Sequence, residues 1–309
     1  MAYNLKKEVE KPERLAGGHR LCAGCGASVT VRGVLRALKP EDKAVIGNAT
    51  SCLEVSTFLY PYTAYQDSYI HSAFENASAT MGGVEAAYRV LKKKGKIDDT
   101  YKFIAFGGDG GTYDIGLQSL SGAMERGHDM VYVCYDNEAY MNTGIQRSSA
   151  TPRFTDATTT PVGKVIPGKV QNKKDLTDII SAHNIPYAAQ TTFFGNFKDF
   201  HEKAEKAIYT EGSAFLNVMS PCPRGWRYEA EDLAEICKLA VNTCVWPLYE
   251  IENGEWKLSY EPKKKLPVEE FLKKQGRFKH MFEPGNEWMI EETQKYVDAK
   301  WEKLLARCK

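Results

Sequence analysis

Five consecutive residues, Gly107-Gly108-Asp109-Gly110-Gly111, constrain this chain more than any other feature. They follow directly on an apolar run at 103–106. They open onto 115–126, where apolar residues recur at helical spacing. Residues 130–135 then read as another buried strand. Strand, glycine turn, helix, strand is the pattern of a parallel sheet flanked by helices, so the expected fold class is α/β. Glycines at such a turn let backbone approach a phosphate, and the helix N-terminus favours negative charge. Asp109 cannot meet phosphate directly, because like charges repel. It can bind Mg²⁺, which takes carboxylate and carbonyl oxygens and bridges to phosphate. A second oxygen donor is expected at the end of the next strand, where Asp136-Asn137 stands, with Asn137 28 positions after Asp109. The carboxyl edge of adjacent strands is where α/β sheets bind ligands. A lone Gly-Asp-Gly is usually just a turn; this pairing is more specific.

The rest of the chain fits the same class. Apolar runs at 44–47, 187–192 and 214–219 read as strands. Residues 27–38, 73–91, 176–183, 197–209 and 287–305 read as helices, the second holding Gly82-Gly83 for close packing against another backbone. Residues 142–173 are rich in Thr, Ser, Gly and Pro, an irregular segment of the kind that is usually functional. The expected division is a ligand-binding α/β domain over 1–240 and a polar C-terminal extension over 241–309 that packs on partner subunits. With 41 basic against 40 acidic residues the formal charge is +1, so nothing pulls the chain toward nucleic acid or a membrane surface. No apolar signal core follows the first residues, and no run reaches the ~20 apolar residues of a spanning helix. The expectation is a cytoplasmic protein.

The spacing from Gly108-Asp109-Gly110 to Asn137 resembles the thiamine-diphosphate motif. That resemblance implies Mg²⁺ on Asp109, the Asn137 side chain and the Ala139 carbonyl. Four of the eight cysteines stand out by context: Cys22 and Cys25 in Cys-Ala-Gly-Cys, Cys52 after one strand and Cys222 after another. Four thiolates can hold zinc or a [4Fe–4S] cluster, or remain unliganded. One close pair and two single cysteines favour a cluster over zinc. Decarboxylation of a 2-oxo acid on thiamine leaves an electron-rich adduct that can be oxidised one electron at a time. A cluster can take those electrons and zinc cannot. Cys134, inside a strand, reads as core; Cys237, Cys244 and Cys308 lack sequence partners.

Gly18-His19 with Cys22–Gly26, Ser51-Cys52-Leu53-Glu54, Ile70-His71, Phe74-Glu75-Asn76-Ala77, Gly108-Asp109-Gly110, the stretch 135–143 (YDNEAYMNT), Gln146-Arg147-Ser148, Ala150-Thr151-Pro152, 158–161 (TTTP), 220–226 (SPCPRGW) and 271–280 (FLKKQGRFKH) together resemble the beta subunits of pyruvate:ferredoxin oxidoreductases. The likeness spans nearly the whole chain. It implies a diphosphate-binding α/β fold, thiamine diphosphate with Mg²⁺ over Gly108–Gly111, and a [4Fe–4S] cluster on Cys22, Cys25, Cys52 and Cys222. It places Asn142 near the reactive thiazolium carbon. It also implies an alpha subunit carrying the pyrimidine-binding domain, a ferredoxin-like subunit, ferredoxin as electron acceptor, and coenzyme A as acyl acceptor.

Among 2-oxo acids, pyruvate is favoured. Oxalate, oxidised without coenzyme A, is the rival, and a branched-chain or aryl 2-oxo acid is third. Two other classes stand against these: a non-redox thiamine-dependent decarboxylase or synthase with structural cysteines, and a zinc-stabilised assembly subunit. His19 and His71 are candidates for hydrogen bonds to cofactor or substrate, and Arg147 for a carboxylate or phosphate. Structural roles are at least as good a reading of each. Glu54 with Glu75 is a weak candidate acid–base pair. Trp226 reads as core or as a shield for the cluster. Tyr60, Tyr62, Tyr65 and Tyr69 read as a packed aromatic surface.

Overall fold

The computed structural model describes residues 4–308. In chain order it runs α1 (Leu5–Glu10), α2 (Gly26–Arg36), β1 (Lys43–Ala49), α3 (Cys52–Thr57), β2 (Phe58–Leu59), β3 (Tyr62–Thr63), β4 (Ser68–Ser72), α4 (Ala77–Lys93) and β5 (Tyr101–Gly108). There follow a π-helical turn over Gly110–Ile115, then α5 (Leu117–Glu125), β6 (Val131–Asp136), α6 (Leu176–Ser181), β7 (Tyr187–Thr191), α7 (Phe197–Tyr209) and β8 (Ala214–Met219). The chain ends with α8 (Pro223–Trp226), α9 (Leu233–Asn242), β9 (Tyr249–Glu252), β10 (Glu255–Leu258), α10 (Glu269–Leu272) and α11 (Glu287–Arg307).

Eight strands form one sheet in the order β10-β9-β7-β8-β6-β5-β1-β4. The six from β7 to β4 are parallel, while β9 joins β7 antiparallel and β10 joins β9. The central strands read as unbroken apolar runs because both faces are covered. On β5, Phe103 and Ala105 face one core with Tyr132, Cys134 and Phe215. Ile104 and Phe106 face the other with Val133, Tyr135 and Leu216, beneath α2 and α7. Each fully buried side chain of this size contributes about 1.5–3 kcal/mol. Cys134 is a core residue, as expected from its place in a strand.

Four departures from the sequence reading have physical causes. β4 was not expected: Ser-Tyr-Ile-His-Ser holds little apolar character because it is an edge strand, covered only on its β1 side. Helical winding begins at Gly110 rather than 115, through the wide π turn. A Cβ on Gly82 would lie 2.8 Å from the His128 ring, whereas Gly83 faces open space. Only one of the pair is thus required, and by a side chain rather than a backbone. Finally, the sheet does not stop near residue 240. β9 and β10 extend it, and Trp246, Leu248, Ile251, Phe271, Met281 and Trp301 belong to the main core. The C-terminal segment is therefore continuous with the domain. Residues 142–173 carry no helix or strand, only isolated bridges such as Tyr140 to Gln146. Among the described residues, no helix is long and apolar enough to cross a membrane.

Candidate cofactor site

The carboxyl ends of β1, β5, β6 and β8 deliver Cys52, Asp109, Asn137 and Cys222 to one edge of the sheet. Asp109 is 1% exposed and Asn137 6%. The Ser148 hydroxyl donates to Asp109 Oδ2 at 2.5 Å, and the Asn137 backbone N–H donates to Oδ1 at 3.3 Å. The Asn137 side-chain oxygen lies 2.8 Å from Asp109 Oδ1 and 2.9 Å from the Ala139 carbonyl oxygen. Three acceptors with no proton between them repel one another. Turning the amide over would convert the repulsion into two hydrogen bonds. A cation would do the opposite and favour oxygen facing inward. Octahedral Mg²⁺ with ligands at ~2.0–2.1 Å spaces neighbouring oxygens about 2.9 Å apart. The donor set and its spacing fit that ion.

Burial, and then the charge of Asp136, push the Asp109 carboxyl well above the usual carboxylate range, against Ser148 and Lys173. A divalent cation reverses that preference for the neutral acid. Asp136 accepts from the Tyr113 hydroxyl at 2.5 Å and pairs with Lys173 at 2.7 Å. Glu138, at φ +67°, pairs with Lys173 at 2.9 Å and with Arg277 at 2.5 Å. Burial opposes its ionisation, yet Lys173 and Arg277 hold its carboxyl below the usual range. Arg277 stacks 3.9 Å over the Trp226 ring, and Trp226 Nε1 donates to the Asn137 carbonyl at 2.7 Å. Trp226 is thus more than core: it fixes the backbone that presents Asn137.

The glycines serve the protein's own packing. A Cβ on Gly110 would lie 2.3 Å from the Tyr140 ring, and one on Gly111 2.9 Å from the Phe74 carbonyl oxygen. The Tyr140 hydroxyl donates to the Gly110 carbonyl at 3.0 Å. Gly108 is less crowded. Together these residues wall a cleft shared by Cys52, Asp109, Asn137, Ala139 and Asn142, with Asn142 exposed on its rim. A larger cavity lies elsewhere, beneath α11.

Three segments carry the four cysteines: the loop before α2 (Cys22, Cys25), the start of α3 (Cys52) and the loop after β8 (Cys222), of which the first and third are joined directly. The Gly26 N–H donates to the Pro221 carbonyl at 2.8 Å, Thr30 and Ser220 hydroxyls meet at 2.9 Å, and Tyr228 donates to the Gly24 carbonyl at 2.8 Å. All four thiols are free; Cys22 is exposed and the others half-buried. Burial pushes Cys25 up to about 11 and Cys52 up to about 12, and the charges of the neighbouring cysteines add to both. Cys222 is raised by burial and, more weakly, by Cys22. The four thiols are near enough for the charge of one to act on another. Among the described residues, no three His, Cys, Asp or Glu side chains are gathered closely enough to hold a single metal ion. Zinc would draw four sulfurs to about 3.8 Å of one another. An iron–sulfur cluster spans a wider space between its ligands.

His71 Nε2 lies 2.9 Å from Thr50 Oγ1 and 3.7 Å from Glu54. Glu54 therefore faces His71, and no hydrogen bond or ion pair joins it to Glu75 among the described residues. His19 Nδ1 is buried without a partner. Arg147 is exposed. Tyr65 and Tyr69 stack at 5.1 Å, but Tyr60 and Tyr62 are exposed. Sequence reasoning missed Ser148, Tyr113, Tyr140, Glu138 and Lys173. Glu138, Tyr140 and Ser148 lie in stretches that carry the family resemblance, but no local signal assigned a role to any of the five.

Fold and cleft define a thiamine-pyrophosphate-binding domain: residues 46–218 match the family model "Thiamine pyrophosphate enzyme, C-terminal TPP binding domain". A pyruvate synthase subunit PorB of Thermotoga maritima is 55% identical over 99% of this chain and 96% of that protein. The PorB of Methanocaldococcus jannaschii is 51% identical over 94% of this chain and 96% of its own. A ketoisovalerate oxidoreductase subunit VorB of Pyrococcus furiosus is 45% identical over 97% and 96%. The fold is also that of a 2-oxoglutarate:ferredoxin oxidoreductase from Magnetococcus marinus, at TM-score 0.58 and 23% identity over 74% of this chain and 78% of that one. The chain belongs to the 2-oxoacid oxidoreductase family of thiamine pyrophosphate enzymes, as a subunit of the PorB type.

Proposed function

We propose that this chain is the catalytic beta subunit of a pyruvate:ferredoxin oxidoreductase, binding Mg²⁺–thiamine diphosphate and a [4Fe–4S] cluster. The observation that carries this reading is one cleft that holds both Cys52 and the oxygen set of Asp109, Asn137 and Ala139. Those three oxygens would hold Mg²⁺. Cys22, Cys25, Cys52 and Cys222 would hold the cluster. When bound, the thiamine supplies a nucleophilic carbon that takes the 2-oxo acid carbonyl and holds the electron pair left by CO₂, and the cluster supplies a one-electron sink beside it.

The chain's own residues do the rest. Ser148 and the Asn137 N–H hold Asp109 in place, so that its remaining lone pairs would be available to Mg²⁺. Trp226, stacked on Arg277, fixes the carbonyl of Asn137 and with it the amide. Tyr140 closes over Gly110 and keeps water from the phosphate turn. Asn142, exposed on the rim, would donate its amide to the substrate oxygen. An alpha subunit with the pyrimidine-binding domain, a ferredoxin-like subunit, ferredoxin and coenzyme A complete the reaction in the cytoplasm.

Pyruvate is the first substrate because the 55% and 51% identical relatives are pyruvate synthase subunits. A branched-chain 2-oxo acid is the second reading, from the ketoisovalerate relative. The test is anaerobic purification of the complex and turnover with pyruvate, 2-ketoisovalerate and oxalate, each with and without coenzyme A, on a viologen dye. Coenzyme-A-dependent reduction with pyruvate is the expected result. Coenzyme-A-independent reduction with oxalate alone would replace the substrate. No reduction with any of the three by an iron-loaded complex sinks the oxidoreductase reading.

A further inference from the structure

A cavity of about 160 Å³ lies between the sheet and α11, open at the surface beside Lys300 and Lys303. Its wall is mainly aromatic and aliphatic, with Trp246, Tyr249, Phe271, Val297, Trp301 and Leu304. Apolar cavities of this size accept a single aromatic ring. Two side chains in the wall have a buried polar atom without a partner, Arg153 Nε and Asn217 Oδ1, and of these residues only Asn217 is fully buried. Asn217, 1% exposed, spends its Nδ2 on the Tyr113 hydroxyl at 2.9 Å and on Thr177 Oγ1 at 3.2 Å. Its Oδ1 is buried and accepts from nothing. The amide orientation is fixed by chemistry. Tyr113 donates its only hydroxyl proton to Asp136, so towards Asn217 it can only accept. Thr177 likewise donates to Gln190 Oε1 at 3.4 Å. Turning Asn217 over would set oxygen against oxygen at both partners.

A buried acceptor without a donor costs about 1–3 kcal/mol. A ligand that supplies the missing proton removes that cost. We propose that this cavity is a second binding site, for a small neutral aromatic molecule bearing one O–H or N–H that donates to Asn217 Oδ1. The cavity is separate from the cofactor cleft. Lys173 connects them, because it lies 4.7 Å over the Trp246 ring and pairs with Asp136 and Glu138 on either side of Asn137.

The test uses crystals of the assembled complex soaked in 4-iodophenol, whose iodine is located by anomalous scattering. One iodine in the cavity, with the hydroxyl within hydrogen-bond distance of Asn217 Oδ1, is expected. Calorimetry with phenol and with toluene, which differ by a hydroxyl for a methyl, should show phenol binding about tenfold tighter. Val297→Phe, which fills the cavity from the surface helix, should abolish both signals while the complex still turns over. Asn217→Leu should level phenol with toluene. A cavity holding only water or a partner's side chain after soaking overturns the proposal. So does phenol binding undiminished by Val297→Phe.

Discussion

Asp109 sits among acceptors and apolar walls, 1% exposed, and its protonation is decided by what stands opposite it. Without a cation, burial and Asp136 favour the neutral acid. In the proposed Mg²⁺ site its carboxylate would be a ligand. Asp109→Ala is therefore expected to remove metal-dependent thiamine diphosphate binding and leave iron content unchanged; cofactor and iron assays on the purified complex check both. Ser148→Ala acts one shell out and should weaken cofactor binding by about 10- to 100-fold, as outer-shell partners of metal ligands typically do. Normal cofactor affinity in Ser148→Ala would show that Asp109 needs no such support. Lys169 poses the opposite problem. Burial first, then the charges of Arg147 and Lys173, push its amine down to about 8. Its ammonium donates to the Thr151 carbonyl. Between about 8 and the ordinary lysine value near 10.4 the unfolded chain binds more protons than the folded one, so this group makes stability rise with pH across that window. Below it the buried charge is a standing cost. Lys169→Met should raise the melting temperature at pH 7, and the gain should shrink toward pH 10. A gain independent of pH would assign the effect to packing instead.

At the scale of elements, the cysteine loops depend on how closely two turns approach. A Cβ on Gly26 would lie 2.6 Å from the Pro221 nitrogen and the Ser220 carbonyl carbon, with no flexible side chain to yield. Gly26→Ala is expected to push the Cys22–Cys25 loop off the Cys222 loop. The complex should lose iron while keeping its thiamine diphosphate. Retention of both would mean that the loops move as one body. The same elements show what was legible in the sequence. Strands buried on both faces, β5, β6 and β8, announce themselves as apolar runs, and α7 shows its amphipathic period cleanly over Phe197–Tyr209. Asp109 and Asn137 could be paired because each follows such a strand. β4 was not legible, since an edge strand has only one hydrogen-bonded neighbour and a half-exposed surface. Ser148 was not legible either. It lies in the irregular segment after β6, and only tertiary structure brings its hydroxyl onto a carboxylate 39 residues back in the chain.

The whole molecule places its C-terminal residues differently from their composition. Residues after 240 are polar and turn-rich, which suggests an appendage, because lysine and glutamate clusters hide the few apolar positions. Those positions nevertheless complete one body. Antiparallel β9 covers the edge of β7, with Ile251 opposite Ala188 and 3% exposed. Arg277, 1% exposed, reaches Glu138 beside the proposed metal ligand Asn137. The tail therefore supports both the sheet edge and the cofactor loop. Two substitutions separate these roles. Ile251→Asp buries an unpaired charge in the hairpin and should destabilise the chain by several kcal/mol, far from the cleft. Arg277→Met removes one of two cations from a buried carboxylate, a change that commonly costs about 3–5 kcal/mol when it leaves charge uncompensated. Because Lys173 still pairs with Glu138, the loss should fall at or below the lower end of that range. It should also weaken thiamine diphosphate binding, which Ile251→Asp should not do at temperatures where it remains folded. Melting temperature and cofactor affinity measured side by side decide the matter. If both variants lower the melting temperature and neither changes cofactor affinity, the tail is a structural brace only, and Arg277 has no part in presenting Asn137.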